Sequence, residues 1–190
     1  MRKKTASVLR YAHRFVRDAR VSMHCALVAR AFGAGEFIVC GERDEKFEND
    51  FDSVQERWGK QTRMVWANPW KSAAKQKKME GYAVVHLTMY GIPLKKAMKK
   101  IAKKAKVLVI VGSEKVPREV YEIADYNVAI GSQPHSEIAA LAVFLHEYFG
   151  GNELENKKIG KLRIVPMARG KKVVMARHQL DLKSNTIQQR

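Results

Sequence analysis

The chain is poor in acid. It sets 19 Asp and Glu against 36 Lys and Arg, a formal charge of +17 at neutral pH. Solubility alone does not call for so one-sided a balance. Such a surface attracts phosphate polyanions, nucleic acid first and an anionic membrane surface second. Cysteine is scarce as well. Cys25 and Cys40 both lie among apolar residues, outside any C-x-x-C pair. They read as buried thiols of a reducing compartment, with a disulfide between them left open. Cys and His never gather at ligand spacing, so no metal is expected. No apolar run approaches the roughly 20 residues that span a bilayer. The start, Met1-Arg2-Lys3-Lys4-Thr5, has no apolar h-region after it. A cytoplasmic protein without a membrane segment is expected. The G-x-G-x-x-G and P-loop patterns are also missing, which disfavours a dinucleotide or a nucleoside triphosphate.

What is present suits one domain with a modest extension, since 190 residues at 46% hydrophobic can bury a core. Strand and helix patterns alternate. Strands are expected at residues 7–11, 37–40, 64–66, 83–87, 107–111 and 126–130. Helices are expected at 18–32, 48–58, 69–80, 93–104, 118–124 and from Ser136 to Phe149. Val107 to Val111 is an unbroken aliphatic run, as in a strand buried on both faces. This alternation predicts a mostly parallel sheet with helices on both faces. Beyond Gly151 the chain turns basic, with short strand candidates at 162–165 and 172–175. The expected division is a domain over 1–151 and a basic extension over 152–190, packed on the domain or on a dimer partner.

Parallel sheets bind ligands outside the carboxyl ends of their strands. Three such ends carry unusual loops: Leu87-Thr88-Met89-Tyr90-Gly91, Gly112-Ser113-Glu114-Lys115-Val116-Pro117, and Gly131-Ser132-Gln133-Pro134-His135-Ser136-Glu137. Gly112 and Gly131 follow their strands at once, where a ligand can approach the backbone. Each loop alone reads as an ordinary turn; three on one edge read as a site.

Residues 85–91, 111–121 and 133–145 resemble the archaeal tRNA cytidine-56 2′-O-methyltransferases. So do Leu9-Arg10-Tyr11-Ala12-His13-Arg14, Arg17-Asp18-Ala19-Arg20-Val21 and Ala29-Arg30-Ala31-Phe32-Gly33-Ala34. The likeness runs in order from about residue 8 to 150. It implies the SPOUT fold with a C-terminal trefoil knot, a homodimer, tRNA as substrate and S-adenosylmethionine as cofactor. Leu87, Gly112, Ser113, Glu114, Lys115, Val116, Ile130, Gly131, Ser132, Gln133, Pro134, His135, Ser136 and Glu137 would hold that cofactor. Related SPOUT ribose methyltransferases carry a catalytic Arg a few residues before an Ala-Phe-Gly; Leu27 stands at that place here.

Transfer to a ribose 2′-hydroxyl needs alignment with the methyl donor and a group that accepts the proton or stabilises the oxyanion. Arg20 is the first candidate, then Arg17, His24 and His135. For Arg17 and Arg20 a solvated helix face is an equal reading, and for His24 a structural role. Ser136 reads as a helix cap and Glu137 as a first-turn carboxylate. Lys95, Lys96, Lys99, Lys100, Lys103 and Lys104 would suit phosphates, as would Lys157, Lys158, Lys161, Arg169, Lys171 and Lys172. Trp58, Trp66 and Trp70 read as core. Rival functions are a SPOUT enzyme with another tRNA or rRNA target, a non-catalytic RNA-binding protein and, more weakly, a peripheral membrane protein.

Overall fold

The computed structural model describes residues 3–112, 116–155 and 160–176. Six parallel strands form one sheet in the order β3-β2-β1-β5-β4-β6: β1 Thr5–His13, β2 Glu36–Gly41, β3 Arg63–Trp66, β4 Ala83–Pro93, β5 Lys106–Gly112 and β6 Tyr126–Ala129. Helices α1 (Phe15–Ala31), α2 (Glu45–Trp58), α4 (Leu94–Ile101) and α6 (Glu137–Phe149) supply the apolar layer on one face, with Ala6, Val8, Phe37, Val39 and Val109. Helices α3 (Trp70–Met79) and α5 (Arg118–Ile123) cover the other face, over Leu9, Ile38, Cys40, Val84, Leu108 and Ile110. Strand β5 is buried from Val107 to Val111, as its aliphatic run requires.

Most elements lie within a few residues of their predicted bounds. Asp44 caps α2 by accepting from the Phe47 N–H, and Ser136 caps α6 by accepting from Ile138. Trp66 and Trp70 pack on the two core layers. Both cysteines are buried and free. Burial pushes the Cys25 thiol up to about 11 and the Cys40 thiol to about 12. Two expectations need correction. Helix α1 begins at Phe15, three residues before the expected Asp18, because Asp18 accepts from the Arg14 N–H and closes the first turn. Strand β4 does not stop at Leu87. Val128 of β6 pairs with both Leu87 and Ile92, and Thr88 to Gly91 form an excursion between them. A Cβ on Gly91 would stand 2.5 Å from the Asn127 and Val128 backbone, so only glycine lets the excursion rejoin β6.

Strand β1 contains an irregularity that period-2 reasoning misses. Its register runs Arg10↔Val39 and then His13↔Gly41, three residues against two. Ala12 takes a left-handed φ of 56° at this bulge. In a regular strand Arg10 and His13 would face opposite sides. The extra residue brings both to the α1 side, where both meet Ser22.

Beyond α6, Gly150 takes the left-handed conformation that ends the helix. A 3₁₀ turn spans Asn152–Glu155. An antiparallel hairpin follows, β7 (Leu162–Val165) with β8 (Lys172–Met175). It sits at the carboxyl end of α2: Gly160 lies so close to Trp58 and Gly59 that no side chain fits. Ile164, Met167 and Met175 are more than half exposed.

Candidate active site

The strand order reverses between β1 and β5, where neighbouring strands lead to crossovers in opposite directions. Ligand sites of open parallel sheets form at such a point. The last pair between β1 and β5, Tyr11 with Gly112, lies there. Two cavities open beside them. One, of about 470 Å³, is lined by His86, Leu87, Thr88, Met89, Tyr90, Gly112, Val116, Tyr121 and Glu137. The other, of about 120 Å³, adds Val111, Ile130, His135 and Ala140. They share Leu87, Thr88, Met89 and Glu137, so all three loops meet at one cleft.

Behind the cleft lies Arg10, fully buried on β1. Its Nη1 donates to the Gly112 carbonyl at 2.6 Å and to Glu137 Oε1 at 3.3 Å, and its Nε donates to Ser22 Oγ at 3.2 Å. Nη2 is buried with no hydrogen-bond partner among the described residues. Ser22 accepts from Arg10, so its own proton is free for His13 Nδ1 at 2.8 Å. The other ring nitrogen of His13, Nε2, faces Asp44 Oδ2 at 3.8 Å.

A second wall is fixed in the same way. Asn127 Nδ2 donates to the Tyr121 carbonyl at 3.0 Å, which turns Oδ1 towards His86 Nδ1 at 2.9 Å. The His86 ring stands edge-on to Tyr121 at 4.7 Å, and the Tyr121 hydroxyl meets Thr88 Oγ1 at 3.2 Å. Burial lowers the His86 pKa against the opposing bond from Asn127; burial also lowers that of His13 against the pull of Asp44 and Asp18. Both rings bind protons more weakly folded than unfolded. Their contribution to stability is therefore complete above about pH 6.5 and is lost as pH falls through that value towards the folded pKa. Tm is expected to drop between pH 7.5 and 5.5, before the carboxylates Glu36, Glu80 and Glu119, held below their usual range, start to protonate. His86→Gln should flatten that drop in a calorimetric pH series; a wild-type Tm constant over this window contradicts it.

The predicted site residues divide among several places. Leu87, Gly112, Val116, Ile130, His135 and Glu137 line the cleft. Ser132, Gln133 and Pro134 are exposed beside it, Gly131 is half-buried, and Ser136 serves as the α6 cap. Ser113, Glu114 and Lys115 lie outside the described residues, as do Lys157 and Lys158. Arg20 and His24 line a different cavity, of about 310 Å³, between α1 and α2, with Phe15, Ala19, Met23, Asp44, Lys46, Phe47 and Asp50. Arg17 does not line it, and its Nε donates to Asp18 Oδ1 at 2.9 Å. Sequence reasoning missed Arg10, Ser22, His13 and Asp44. An arginine inside the apolar run Val8-Leu9-Arg10-Tyr11 was the available signal, since a buried charge needs built partners.

Residues 58–174 match the family model described as tRNA ribose 2′-O-methyltransferase, aTrm56. The tRNA (cytidine(56)-2′-O)-methyltransferase of Ignicoccus hospitalis is 52% identical over 168 residues, covering 88% of this chain and 76% of that protein. The chain belongs to this family of tRNA ribose 2′-O-methyltransferases. The protein of the same name from Thermococcus kodakarensis is 48% identical over 177 residues, 90% of this chain and 98% of its own length. Solved structures carry the fold. A TrmH/SpoU tRNA modifying enzyme of A. aeolicus superposes with TM-score 0.57 at 15% identity, covering 84% of this chain and 82% of that one. An RNA 2′-O ribose methyltransferase gives 0.58 at 17%, covering 80% and 58%. AviRb of Streptomyces viridochromogenes, solved with AdoMet, gives 0.54 at 16%, covering 80% and 59%. This chain spans less than two thirds of the last two. The SPOUT-type parallel sheet expected from the sequence is thus the fold of this family member. Its Leu27, at the place where related enzymes carry arginine, packs against the core and offers no charge to a site.

Proposed function

We propose that the chain transfers a methyl group from S-adenosylmethionine to the ribose 2′-hydroxyl of cytidine 56 in the T-loop of tRNA. The near-full-length identity to enzymes of that name carries this reading. The cleft's chemistry is compatible with the cofactor. Leu87, Met89, Val111, Val116, Ile130 and Ala140 offer apolar walls for a nucleobase. A Cβ on Gly131 would meet only the His135 ring, at 3.9 Å, so the backbone there can be approached. Glu137 places a carboxylate where a cation would rest, and Arg10 Nη2 behind it is a donor without a partner among the described residues. When bound, the cofactor supplies an electrophilic sulfonium methyl. The protein's part is placement, charge stabilisation and removal of one proton. Arg20 stabilises the charge that grows on the 2′-oxygen. Asp44 is committed to the Phe47 N–H and Asp50 to Lys46, which leaves the His24 imidazole, one turn from Arg20, to take the proton.

Further parts of this reading follow from the family resemblance. The protein works as a homodimer; Phe15 and Val16 on α1 and Val143 on α6 are exposed apolar residues suited to a partner. The passage from β6 over the end of β4 to α6 is the trefoil knot. The domain ends near residue 151, and the basic hairpin is an appended unit that helps to hold RNA. No helix among the described residues is long and apolar enough to cross a membrane. A cytoplasmic site of action and a metal-free reaction belong to the same proposal.

Tracking the tRNA backbone falls to the lysines of α4 and the turn after it. Lys95, Lys96, Lys99, Lys100, Lys103 and Lys104 are all exposed, and none pairs with a carboxylate among the described residues. The helix starts at Leu94, after Ile92 and Pro93 close the excursion whose Thr88, Met89 and Tyr90 line the cleft. Replacing Lys96, Lys99 and Lys103 together by alanine is expected to weaken tRNA binding and to flatten the plot of log affinity against log salt by roughly 0.7–0.9 for each phosphate no longer neutralised. An unchanged slope removes this face from the footprint.

The deciding experiment is methyl transfer from labelled S-adenosylmethionine to an unmodified tRNA transcript and to a copy with 2′-deoxycytidine at position 56. Label in the first alone supports the reading. Label in both moves the target elsewhere, and label in neither favours a non-catalytic RNA-binding protein.

A further inference from the structure

We infer that Arg10 is a positioning residue that locks the two cofactor loops to helix α1, and so fixes the donor cleft relative to Arg20. This rests on the function proposed for the cleft. One buried guanidinium touches three separate parts of the site. Nη1 holds the Gly112 carbonyl at the mouth of the β5 loop and the Glu137 carboxylate at the end of the β6–α6 loop; Nε holds Ser22, two residues from Arg20. The farthest of them along the chain, Glu137, is 127 residues from Arg10.

Burying a charge away from solvent is costly unless it is paired and hydrogen-bonded. An apolar residue on the α1 side of β1 would need no such partners. Arginine supplies a rigid planar fork that fixes its partners in direction as well as distance, which a lysine cannot do. The fork is also incompletely used. The Nη1–Glu137 bond, at 3.3 Å, is longer than the roughly 2.7–2.9 Å typical of charge-assisted bonds. Nη2 has no partner among the described residues. A small inward movement of Glu137 would make the pair bidentate. The polar contacts behind the cleft run through Ser22 as far as His13, whose Nε2 lies 3.8 Å from Asp44 without a hydrogen bond among the described residues. Asp44 lies on the wall of the Arg20 cavity.

The limbs of the clamp can be cut separately. Glu137→Gln removes the ion pair at the cofactor loop and is expected to raise the calorimetric Kd for S-adenosylmethionine about tenfold. Ser22→Ala cuts the link to α1; it should leave that Kd within twofold and lower kcat about tenfold. Arg10→Lys keeps the charge but loses the fork, and should show both effects. Arg10→Met strips the buried partners of their donor and risks unfolding the protein, so the conclusion rests on the milder three. Thermal melts establish that each variant is folded. Folded Arg10→Lys and Ser22→Ala proteins with lower Tm but wild-type Kd and kcat would reduce Arg10 to a packing residue and overturn the inference. If the wild-type chain itself gives no binding heat with S-adenosylmethionine, the proposed function fails, and this inference with it. Normal wild-type binding with unaffected variants sinks the inference alone.

Discussion

Arg20→Ala is expected to lower kcat for tRNA methylation by about 10²–10³-fold, the usual effect of removing one donor from a developing oxyanion. The loss should appear in kcat and in kcat/KM alike, because the interaction is made only as charge grows on the 2′-oxygen. Arg20 is exposed on α1 and lines none of the cofactor cleft, so its removal leaves the Kd for S-adenosylmethionine unchanged. Stability should move by no more than about 0.5 kcal/mol, as for other surface changes. Arg17→Ala is the matched control. That side chain is tied to Asp18 outside the cavity, and activity should fall by less than about fivefold. Single-turnover methyl transfer with saturating cofactor separates the two. If Arg17 proves the more sensitive of the pair, the catalytic role moves one turn earlier on α1 and the Arg20 cavity loses its proposed purpose.

Gly41→Ala is expected to cost the largest amount of stability of any single methyl group added to this chain. Gly41 has φ 138°, a conformation that side chains resist, and its Cβ position falls on the His13 backbone carbonyl, well inside van der Waals contact. That carbonyl accepts from the Glu42 N–H, and the Asn68 side chain brackets Gly41 through both its N–H and its carbonyl, so nothing there can yield without breaking bonds. Backbone strain and overpacking together amount to roughly 3 kcal/mol or more. At about 2–4 °C per kcal/mol for a chain of this size, the Tm should fall by roughly 6–12 °C. Gly81→Ala separates the two causes. It shares a positive φ, 84°, but has open space around its Cβ, so it should lose only about 1 kcal/mol. Equal losses in the two variants would show that the contact with His13 relaxes at no cost. Because Gly41 opposes the β1 bulge, the same substitution should also displace His13 and reduce kcat in whatever fraction remains folded.

The residues that failed to announce themselves in the sequence are those whose meaning depends on the bulge. Val8, Leu9 and Tyr11 read correctly as strand, yet the alternation that identifies a strand also assigns Arg10 and His13 to opposite faces. A single inserted residue at Ala12 reverses one of them, and the sequence offers little warning, since alanine is an unusual occupant of a left-handed position. The extension of β4 was hidden in a similar way. Gly91 looks like a loop residue and Pro93 like the start of a helix, and it is the tertiary approach of β6 that turns Ile92 and Pro93 into strand.

Other features were decided locally and were legible for that reason. The aliphatic run of β5, the apolar stripe of α4, the serine cap of α6 and the hairpin strands at 162–165 and 172–175 each depend on neighbours within a turn or two of chain, so composition and periodicity determine them. The three strand-end loops could likewise be picked out one by one, and the charge of the chain follows from its residues alone. The tertiary structure alone decided that these loops share one cleft, that Arg10 stands behind it, that Arg20 and His24 face a different cavity, and that Arg17 is held outside. These facts depend on contacts between residues many tens of positions apart, and on a strand order that sends β5 between β1 and β4. Local propensity carries no information about such pairings; they are set by which buried faces and polar groups can be satisfied together once the whole chain has packed.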